Sequence, residues 1–189
     1  MTDESRPETP GPEPSLSPRE AERFGECVLP YLDAAYNLAR YLVRDPHEAE
    51  EAVQDAFLRA IRHFGGFRGV DGRAWILSIV RNVCFTRLRR RRAGGEKVEF
   101  DEEIHSVEES TSEPEADLAR TIAADSLLQG LDRLTVEFRE ALVLRELEGL
   151  SYKEIAQVAG VPIGTVMSRL ARGRKQLLLA LGAGAKESD

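Results

Sequence analysis

Residues 149–175 constrain the fold more than any other part of the chain, because they have the pattern of two helices joined by a tight turn. Ser151 and Glu154 have the spacing of a capping box, which predicts where the first helix begins. Gly160 predicts the turn, since glycine adopts positive φ without steric cost. Pro162 suits the first position of the second helix, where no backbone N–H is needed.

The second of these helices has two faces of different chemistry. Its apolar face is expected to be buried and comprises Ile163, Val166, Leu170 and Leu177. Its polar face comprises Thr165, Ser168, Arg169 and Arg172, with Arg174 and Lys175 beside them. Residues 163–180 contain no acidic side chain. Such a helix suits the major groove of DNA, and the alternative is a solvated helix of an ordinary bundle.

Charge and cysteine content limit the class of protein. The 189 residues carry a net charge of −7, which argues against a nucleic-acid partner at first sight. The acidic residues, however, concentrate in segments that look unfolded. Whether the chain binds nucleic acid therefore depends on the local potential at the helices and not on the net charge. Cys27 and Cys84 are expected to be buried thiols, since nothing supports a disulfide or a metal site. No signal peptide or apolar run of membrane length is recognised, so a cytoplasmic protein without membrane insertion is expected.

The chain divides into two helical segments and three segments of biased composition. Residues 1–18 are proline-rich and are expected to form a disordered tail, with a proline-motif ligand as the alternative. Residues 19–93 form the first predicted helical domain, and residues 118–182 form the second. Residues 94–117 are expected to be an acidic flexible linker, and residues 183–189 a short tail. The predicted fold class is all-α.

Helix boundaries in the first domain are marked by local signals. A first short helix is expected over residues 22–29, and another begins where Asp45 caps and Pro46 takes the first position. That helix runs to about residue 64, with an inner face formed by Ala49, Val53, Ala56, Phe57, Ala60 and Phe64. His47 and His63 are expected at the surface rather than on a metal. In the second domain, Thr135 is expected to cap a helix over residues 136–147.

A glycine-rich loop over residues 65–72 follows the first domain's long helix. It lacks the Lys-Ser/Thr ending of a nucleotide-binding P-loop. Phe67 and Arg68 can both stack on an unpaired base. The alternative is a plain interhelical turn with Phe67 in the core, which residue type alone favours.

The helix predicted over residues 73–92 carries charge of a single sign. Its apolar side comprises Trp75, Ile76, Ile79, Val80 and Val83. Its polar residues are Arg73, Arg81, Asn82, Arg87 and the run Arg89, Arg90, Arg91 and Arg92, with no acidic residue among them. Solvated helices normally mix signs, so this helix indicates a polyanion-binding surface with some aromatic contact.

Taken in order, these parts resemble an extracytoplasmic-function (ECF, group IV) sigma factor of bacterial RNA polymerase, a member of the sigma-70 family. The matching stretches are residues 45–64, 67–69, 73–82 with 88–90, and 150–177. Each is weak alone, whereas their joint order is strongly specific. The resemblance implies a region-two bundle of three or four helices and a region-four helix-turn-helix domain.

The resemblance also implies the partners. A sigma factor binds core RNA polymerase, through the clamp helices of the largest subunit and through the flap, and directs promoter recognition, melting and initiation. Here the outward contacts to the clamp helices would be Glu51, Gln54, Asp55 and Leu58. An anti-sigma factor is expected to hold such a protein inactive. No cofactor, metal or enzymatic activity is expected.

DNA contacts are implied at two promoter elements. Minus-ten recognition and melting fall to Phe67, Arg68, Arg73, Trp75, Arg81, Asn82, Arg87, Arg89 and Arg90. At minus-thirty-five, Met167, Ser168, Ala171 and Arg172 match base-facing positions, and Thr165, Arg169, Arg174 and Lys175 match backbone-facing ones. Met167 stands where many relatives carry Lys or Arg, and Ala171 is small, so the minus-thirty-five preference of the family does not transfer.

Two other functions stay open at this point. A stand-alone helix-turn-helix regulator accounts for the second domain but not for the Trp75 helix, and a pull-down with core polymerase separates it from a sigma factor. A helical adaptor without a DNA role predicts that Arg172→Ala changes nothing at promoters. Catalysis has no support, because no nucleophile adjoins a base. The acidic linker and tail are expected to weaken promoter binding by the free protein.

Overall fold

The structure is a computed structural model that describes residues 16–69, 71–93 and 126–184. Most of the proline-rich tail, the whole acidic linker and residues 185–189 lie outside the described residues, so their expected disorder stays a prediction. The described ranges contain helices and turns without a strand, which confirms the all-α class. No helix within them is both long enough and apolar enough to cross a membrane.

The helices follow one another with short connections. They are α1 (Pro18–Cys27), α2 (Leu32–Val43), α3 (Pro46–His63), α4 (Arg73–Ala93), α5 (126–132), α6 (Val136–Leu142), α7 (Tyr152–Ala159) and α8 (Ile163–Gly184). Short 3₁₀ turns at Leu29–Tyr31 and Phe64–Gly66 follow α1 and α3. A π-helical turn at Val143–Leu147 continues α6, where the sequence predicted one α-helix to residue 147.

Helices α2, α3 and α4 pack on one another and form the core of the first bundle. Small residues let α3 approach its neighbours closely, because Ala49, Ala52, Ala56 and Ala60 are all fully buried. The predicted start of α3 is confirmed, since the Asp45 carboxylate accepts a hydrogen bond of 2.8 Å from the Glu48 backbone N–H. The predicted inner face is also confirmed, with Phe57 only partly buried.

Helix α1 begins earlier than the sequence predicted, at Pro18 rather than residue 22. The reason is a capping box that went unrecognised. The Ser17 hydroxyl accepts from the Glu20 N–H, and the Glu20 carboxylate accepts from the Ser17 N–H at 3.0 Å. Pro18 takes the first helical position, where the missing N–H costs nothing.

The second bundle comprises α5 to α8, with α6 packed on α8. Thr135 lies at the N-cap of α6, but its side chain makes no capping hydrogen bond, so that part of the prediction was wrong. Gly173 permits the close approach of α8 to α6. A Cβ there would lie 3.3 Å from the Leu142 Cδ1 and 3.4 Å from the Phe138 Cβ.

The helix-turn-helix is formed by α7 and α8. Ser151 and Glu154 make the predicted capping box, and Gly160 ends α7 with φ of 65°. Helix α8 begins at Ile163, one residue after the predicted start at Pro162. Ile163 is 46% exposed, so its predicted burial was wrong; Val166 and Leu170 are buried as predicted.

The two bundles also contact each other. Helix α4 lies against α7, and α2 lies against α6. Buried apolar side chains from both bundles belong to one continuous cluster. Helix α4, which carries several of the predicted minus-ten residues, therefore lies at this interface.

Candidate nucleic-acid interface

An aromatic platform lies where the glycine-rich loop meets α4. The Phe67 ring stacks on the Trp75 indole with centroids 4.7 Å apart, and on Phe64 with centroids 5.8 Å apart. Phe64 is fully buried, whereas Phe67 and Trp75 are partly exposed. Arg68 is exposed beside them, and its guanidinium donates to the Gly65 carbonyl at 2.7 Å. The structure thus brings three of the predicted minus-ten residues together.

Arg23 belongs to the same site, although the sequence analysis did not identify it. Its guanidinium donates to the Phe67 carbonyl at 2.8 Å and to the Gly69 carbonyl at 3.2 Å. The same group lies 5.1 Å from the Phe64 ring centroid, within cation–π range. Arg23 lies 44 residues before Phe67, so no local sequence signal marks it.

The loop is fixed to α1 at its other end by Gly72. The Gly72 N–H donates to the Cys27 carbonyl at 3.0 Å. A Cβ at this position would lie 2.4 Å from that oxygen, so only glycine fits without a shift of the backbone. The loop is therefore held at two places, by Arg23 and by the Cys27 carbonyl.

The α4 arginines face three different environments. Arg73 lies over the Tyr31 ring and donates to the Glu148 backbone carbonyl. Arg81 packs 4.0 Å from the Phe85 ring centroid and pairs with Glu140 at 2.7 Å. Of the remaining predicted minus-ten residues on this helix, Arg87 is half-buried. The others are exposed, namely Asn82, Arg89 and Arg90.

Arg87 is held by two carboxylates of α3. Its guanidinium donates to Glu51 at 2.8 Å and to Asp55 at 2.7 Å. The hydrogen bond to Glu51 raises the pKa of Arg87 above its usual value, against the opposing effect of burial. Arg87 thus contacts the surface predicted to bind polymerase, and in this arrangement its donors face α3 rather than DNA.

The outward face of α3 carries the residues predicted to contact polymerase. Glu51 and Gln54 are exposed, and Asp55 is half-buried. Leu58 is 47% exposed beside them, an apolar side chain surrounded by polar ones. An exposed leucine on such a face suits a protein partner, although single exposed apolar residues are common.

Most of the polar face of α8 is exposed. Met167, Ser168, Ala171, Arg172 and Lys175 are all exposed. Thr165, which is half-buried, accepts a 2.9 Å hydrogen bond from the Ser168 hydroxyl through its backbone carbonyl. The positions predicted to face bases are therefore accessible.

Two predicted backbone-facing arginines of α8 have carboxylate partners. Arg174 donates two hydrogen bonds to Glu146, at 2.7 and 3.0 Å, on the exposed surface. Arg169 donates to Glu140 at 3.4 Å. Glu140 is fully buried, and burial raises its pKa above the usual value while Arg81, and after it Arg169, favour the charged form.

Arg139 is a second buried charge near the contact between the bundles. Burial, and then the nearby Arg44, lower its pKa to about 10, so it stays protonated at neutral pH. It pairs with Asp132 at 3.0 Å, and Asp132 also pairs with Arg44.

Nothing in the described ranges points to a metal centre. Groups of three or more His, Cys, Asp or Glu side chains that could hold an ion do not occur there. Cys84 is buried, and burial raises its thiol pKa to about 12. Cys27 is only partly buried, and burial raises its pKa as well.

Comparison with protein families matches both bundles. The model of sigma-70 region 2 matches residues 27–94, and the model of sigma-70 region 4 matches residues 124–177. The first match contains α2 to α4, and the second contains α5 to α7 and most of α8. The first match contains the aromatic platform, and the second, which follows it along the chain, contains most of the helix-turn-helix.

Several characterised proteins are similar over most of the chain. The RNA polymerase sigma-H factor of Pseudomonas aeruginosa is 36% identical over 166 residues, covering 84% of this chain and 86% of the relative. The ECF RNA polymerase sigma factor SigM of Mycobacterium tuberculosis is 36% identical over 148 residues, covering 78% and 71%. ECF sigma factor SigE of Mycolicibacterium smegmatis is also 36% identical, over 82% of this chain, but the match spans only 60% of that relative's length.

Two solved structures share the fold. The sigma factor RpoE in complex with the anti-sigma factor NepR, from Bartonella quintana, superposes with a TM-score of 0.68 at 27% identity, covering 82% of this chain and 94% of that one. CnrH in complex with the cytosolic domain of CnrY superposes with a TM-score of 0.59 at 26% identity, covering 87% and 95%.

Proposed function

The chain belongs to the sigma-70 family, in its ECF branch, and we propose that it recruits core RNA polymerase to promoters and opens the DNA there. The observation that supports this proposal is the occurrence in one chain of two different surfaces whose chemistry suits DNA. One is the aromatic platform with the cationic helix α4, and the other is the open polar face of α8. A stand-alone helix-turn-helix regulator needs only the second.

The platform supports a role in strand opening at minus-ten. Unstacking a base from duplex DNA costs on the order of a few kcal/mol. Stacking an unpaired base on Phe67 or Trp75 contributes about 1–3 kcal/mol of favourable free energy. Arg68 supplies a planar cation beside these rings. The bonds from Arg23 and Gly72 hold the loop in place before DNA arrives, which lowers the entropy lost on binding.

The exposed face of α8 supports a role in the major groove at minus-thirty-five. Arg172 is the longest hydrogen-bond donor among the four base-facing positions, and Met167 offers apolar contact with a thymine methyl group. Arg174 and Lys175 follow on the same helix and suit phosphate contacts, which position a protein without reading sequence.

The face of α3 supports the contact with polymerase. Leu58 supplies apolar surface. Glu51 and Asp55 supply negative charge, and hydrogen bonds from Arg87 orient their carboxylates. Following the family, we assign the clamp helices of the largest subunit to this face and the flap to the second bundle. We further propose that an anti-sigma factor controls this chain. One structural neighbour is bound to the anti-sigma factor NepR, and the other is bound to the cytosolic domain of CnrY.

Reconstitution tests the proposal. The purified chain is added to core polymerase that lacks a sigma factor, and transcription is measured across a promoter library. The account expects start sites that depend on the added chain and share elements near minus-ten and minus-thirty-five. A chain that binds DNA but leaves core polymerase inactive would support the stand-alone regulator instead.

A further inference from the structure

A cavity of about 360 Å³ is formed by residues of both bundles. Its walls come from α2 and α4 in the first bundle, and from α6 and the turn before it in the second. None of the residues predicted to contact promoter DNA or polymerase is among those that line it. The proposed function therefore gives this cavity no role.

One part of the wall is apolar. Leu42, Val43, Leu134 and Val136 are buried around the cavity, and Leu88 is partly buried. Small-molecule sites enclose about 300–1,000 Å³, have mainly apolar walls and use a few polar groups to orient the ligand. The volume of this cavity is near the lower limit of that range, so the cavity suits a ligand with a short apolar body.

The other part of the wall is cationic. Four arginines line the cavity against one acidic side chain, that of Glu137. One of them, Arg92, is exposed, and its side chain makes no hydrogen bond or ion pair within the part of the chain that the structure describes. The others are Arg44, Arg91 and Arg139. A ligand with an apolar body and one negative charge would match both parts of the wall.

Arg139 is the least exposed of the four arginines. Its residue is 4% exposed, and its Nη1 donates to the Asp132 carboxylate at 3.0 Å. Its Nε is buried and has no hydrogen-bond acceptor within the described residues. An unpaired buried donor on a charged group is costly, so an acceptor in the cavity would stabilise this side chain.

The carboxylate that Arg139 does contact is shared with a second arginine. The Asp132 Oδ1 lies 3.0 Å from Arg139 and 2.9 Å from Arg44. Burial, and then the charge of Arg44, lower the pKa of Arg139 to about 10, so the guanidinium stays protonated in surroundings that oppose its charge. A further negative charge beside it would reduce that opposition.

We propose that this cavity binds a medium-chain carboxylate, a small organic anion with a short alkyl chain. Its carboxylate accepts from the Arg139 Nε and pairs with Arg92, because guanidinium groups bind carboxylates through charge-assisted hydrogen bonds. Its alkyl chain packs on the leucines and valines of the wall. A nucleic-acid strand offers the charge but no alkyl chain for that apolar part, so it matches the cavity less well.

The inference goes beyond the proposed function and does not depend on it. Binding is measured on the full-length free chain, without polymerase or DNA. A chain that fails to support transcription can still bind the carboxylate, and a working sigma factor can fail to bind it, so the two proposals fail separately.

Calorimetric titration with sodium octanoate tests the proposal. We expect saturable binding of one octanoate per chain. Each methylene group that the wall covers should raise the affinity by about fourfold along the series butanoate, hexanoate and octanoate. The absence of saturable binding would overturn the proposal.

Two comparison ligands test the two parts of the wall separately. Octan-1-ol keeps the alkyl chain without the charge, and acetate keeps the charge without most of the chain. Both are expected to bind at least about tenfold more weakly than octanoate. Octanol that binds as tightly as octanoate would show that the arginines do not recognise the ligand, and acetate that does so would show that the apolar wall does not.

Substitutions test the arginines. Arg139→Gln removes the buried charge and should weaken octanoate binding by about tenfold or more. Arg92→Glu keeps the test valid if Arg139→Gln unfolds, because Arg92 is exposed, and it should weaken binding by about threefold or more. Circular dichroism first establishes that each variant keeps its helical content.

Arg62→Glu is the matched control for Arg92→Glu. Arg62 is exposed on α3, does not line the cavity and gives the same change in net charge. The control is expected to bind octanoate as the wild type does. Equal affinities of Arg92→Glu and Arg62→Glu would contradict the proposed position of the carboxylate.

Methyl NMR spectra locate the ligand. Octanoate is expected to shift the methyl signals of Leu42, Leu88 and Leu134, which line the cavity. Leu178 and Leu179 are 71% and 65% exposed and report adsorption to an open apolar surface. Shifts confined to these two leucines would show adsorption on α8 and overturn the proposal.

Discussion

The Trp75 indole stacks on the Phe67 ring, with ring centroids 4.7 Å apart and planes inclined by 29°. This contact joins the first turn of α4 to the glycine-rich loop. Gly69 lies so close to the Phe67 ring that a Cβ there would be 2.6 Å from it. The position of the ring is therefore set from several sides, as a stacking surface for a base requires.

Removing either ring is expected to impair strand opening. Phe67→Ala and Trp75→Ala each lose a stacking contact of about 1–3 kcal/mol, which lowers open-complex formation by roughly tenfold or more. Permanganate reactivity of unpaired thymines measures the open complex. A template with a pre-opened minus-ten region is the control, and it should remove most of the defect; a defect of equal size on that template would show a loss of binding instead.

Leu58 is expected to contribute directly to polymerase binding. Leu58→Asp places a charge where an apolar contact is proposed, and should weaken binding to core polymerase by about 2 kcal/mol or more, as at interface hot spots. Leu58 is half-exposed, so the free energy of unfolding should change little. Arg59→Asp, at an exposed neighbouring position, is the control. Equal affinities of the two variants in a surface-binding assay would place the interface elsewhere.

Substitutions of Arg172 and Lys175 are expected to impair DNA binding in different ways. Arg172→Ala removes a base contact worth about 1–3 kcal/mol and should abolish the preference at one minus-thirty-five position. Lys175→Ala removes a phosphate contact and should weaken all sequences alike, lowering the salt slope by about 0.9. Competition binding of the holoenzyme to promoter variants distinguishes them. Loss of preference in Lys175→Ala, or none in Arg172→Ala, would reverse the assignment.

The capping box of α7 is expected to contribute to stability in a pH-dependent way. Ser151→Ala should lower the free energy of unfolding by about 1 kcal/mol at neutral pH. Hydrogen bonds from the Ser151 side chain, and then from its backbone, lower the pKa of Glu154 below 4.5. The stabilisation from ionised Glu154 is therefore present above pH 4.5 and is lost as the pH falls through the lowered pKa.

Urea unfolding of wild type and Ser151→Ala across the acidic range measures this effect. The difference between the two chains should shrink as the pH falls. A difference that stays constant down to the pH at which Glu154 is protonated would mean that the Ser151 hydroxyl acts without the carboxylate.

The two cysteines are expected to differ in reactivity. Cys84 is fully buried with a thiol pKa of about 12, so its thiolate is scarce and shielded. Cys27 is partly exposed and should react first with iodoacetamide. Mass spectrometry after timed labelling should show Cys84 modified only when the chain unfolds. Equal rates at both positions in the folded chain would contradict the packing of α4.

Local signals predicted local structure well. Asp45, Ser151 and Gly160 mark helix ends because each acts on the backbone within a few residues, and all three act as predicted. Helical periodicity predicted the burial of Val166 correctly and the burial of Ile163 wrongly. Periodicity reports the direction in which a side chain points, and it does not report whether a neighbouring helix extends far enough to cover the first turn.

The contacts that were missed at the candidate sites depend on residues far apart in sequence. Arg23 and Phe67 are 44 residues apart, and Arg81 and Glu140 are 59 apart. Motifs marked Arg81 as a DNA contact, but they gave no sign that it pairs with Glu140. The sequence predicted which side chains carry charge, and only the packing of two bundles shows which charges meet.

Initiation by reconstituted polymerase is the most direct test of whether this chain acts as a sigma factor. Core polymerase, the purified chain and a promoter library are combined, and transcript starts are sequenced with wild type and with Trp75→Ala. We expect transcript starts that depend on the chain, lie downstream of a shared pair of elements and are strongly reduced by Trp75→Ala. Starts that do not depend on the chain, or a chain that never associates with core polymerase, would contradict it.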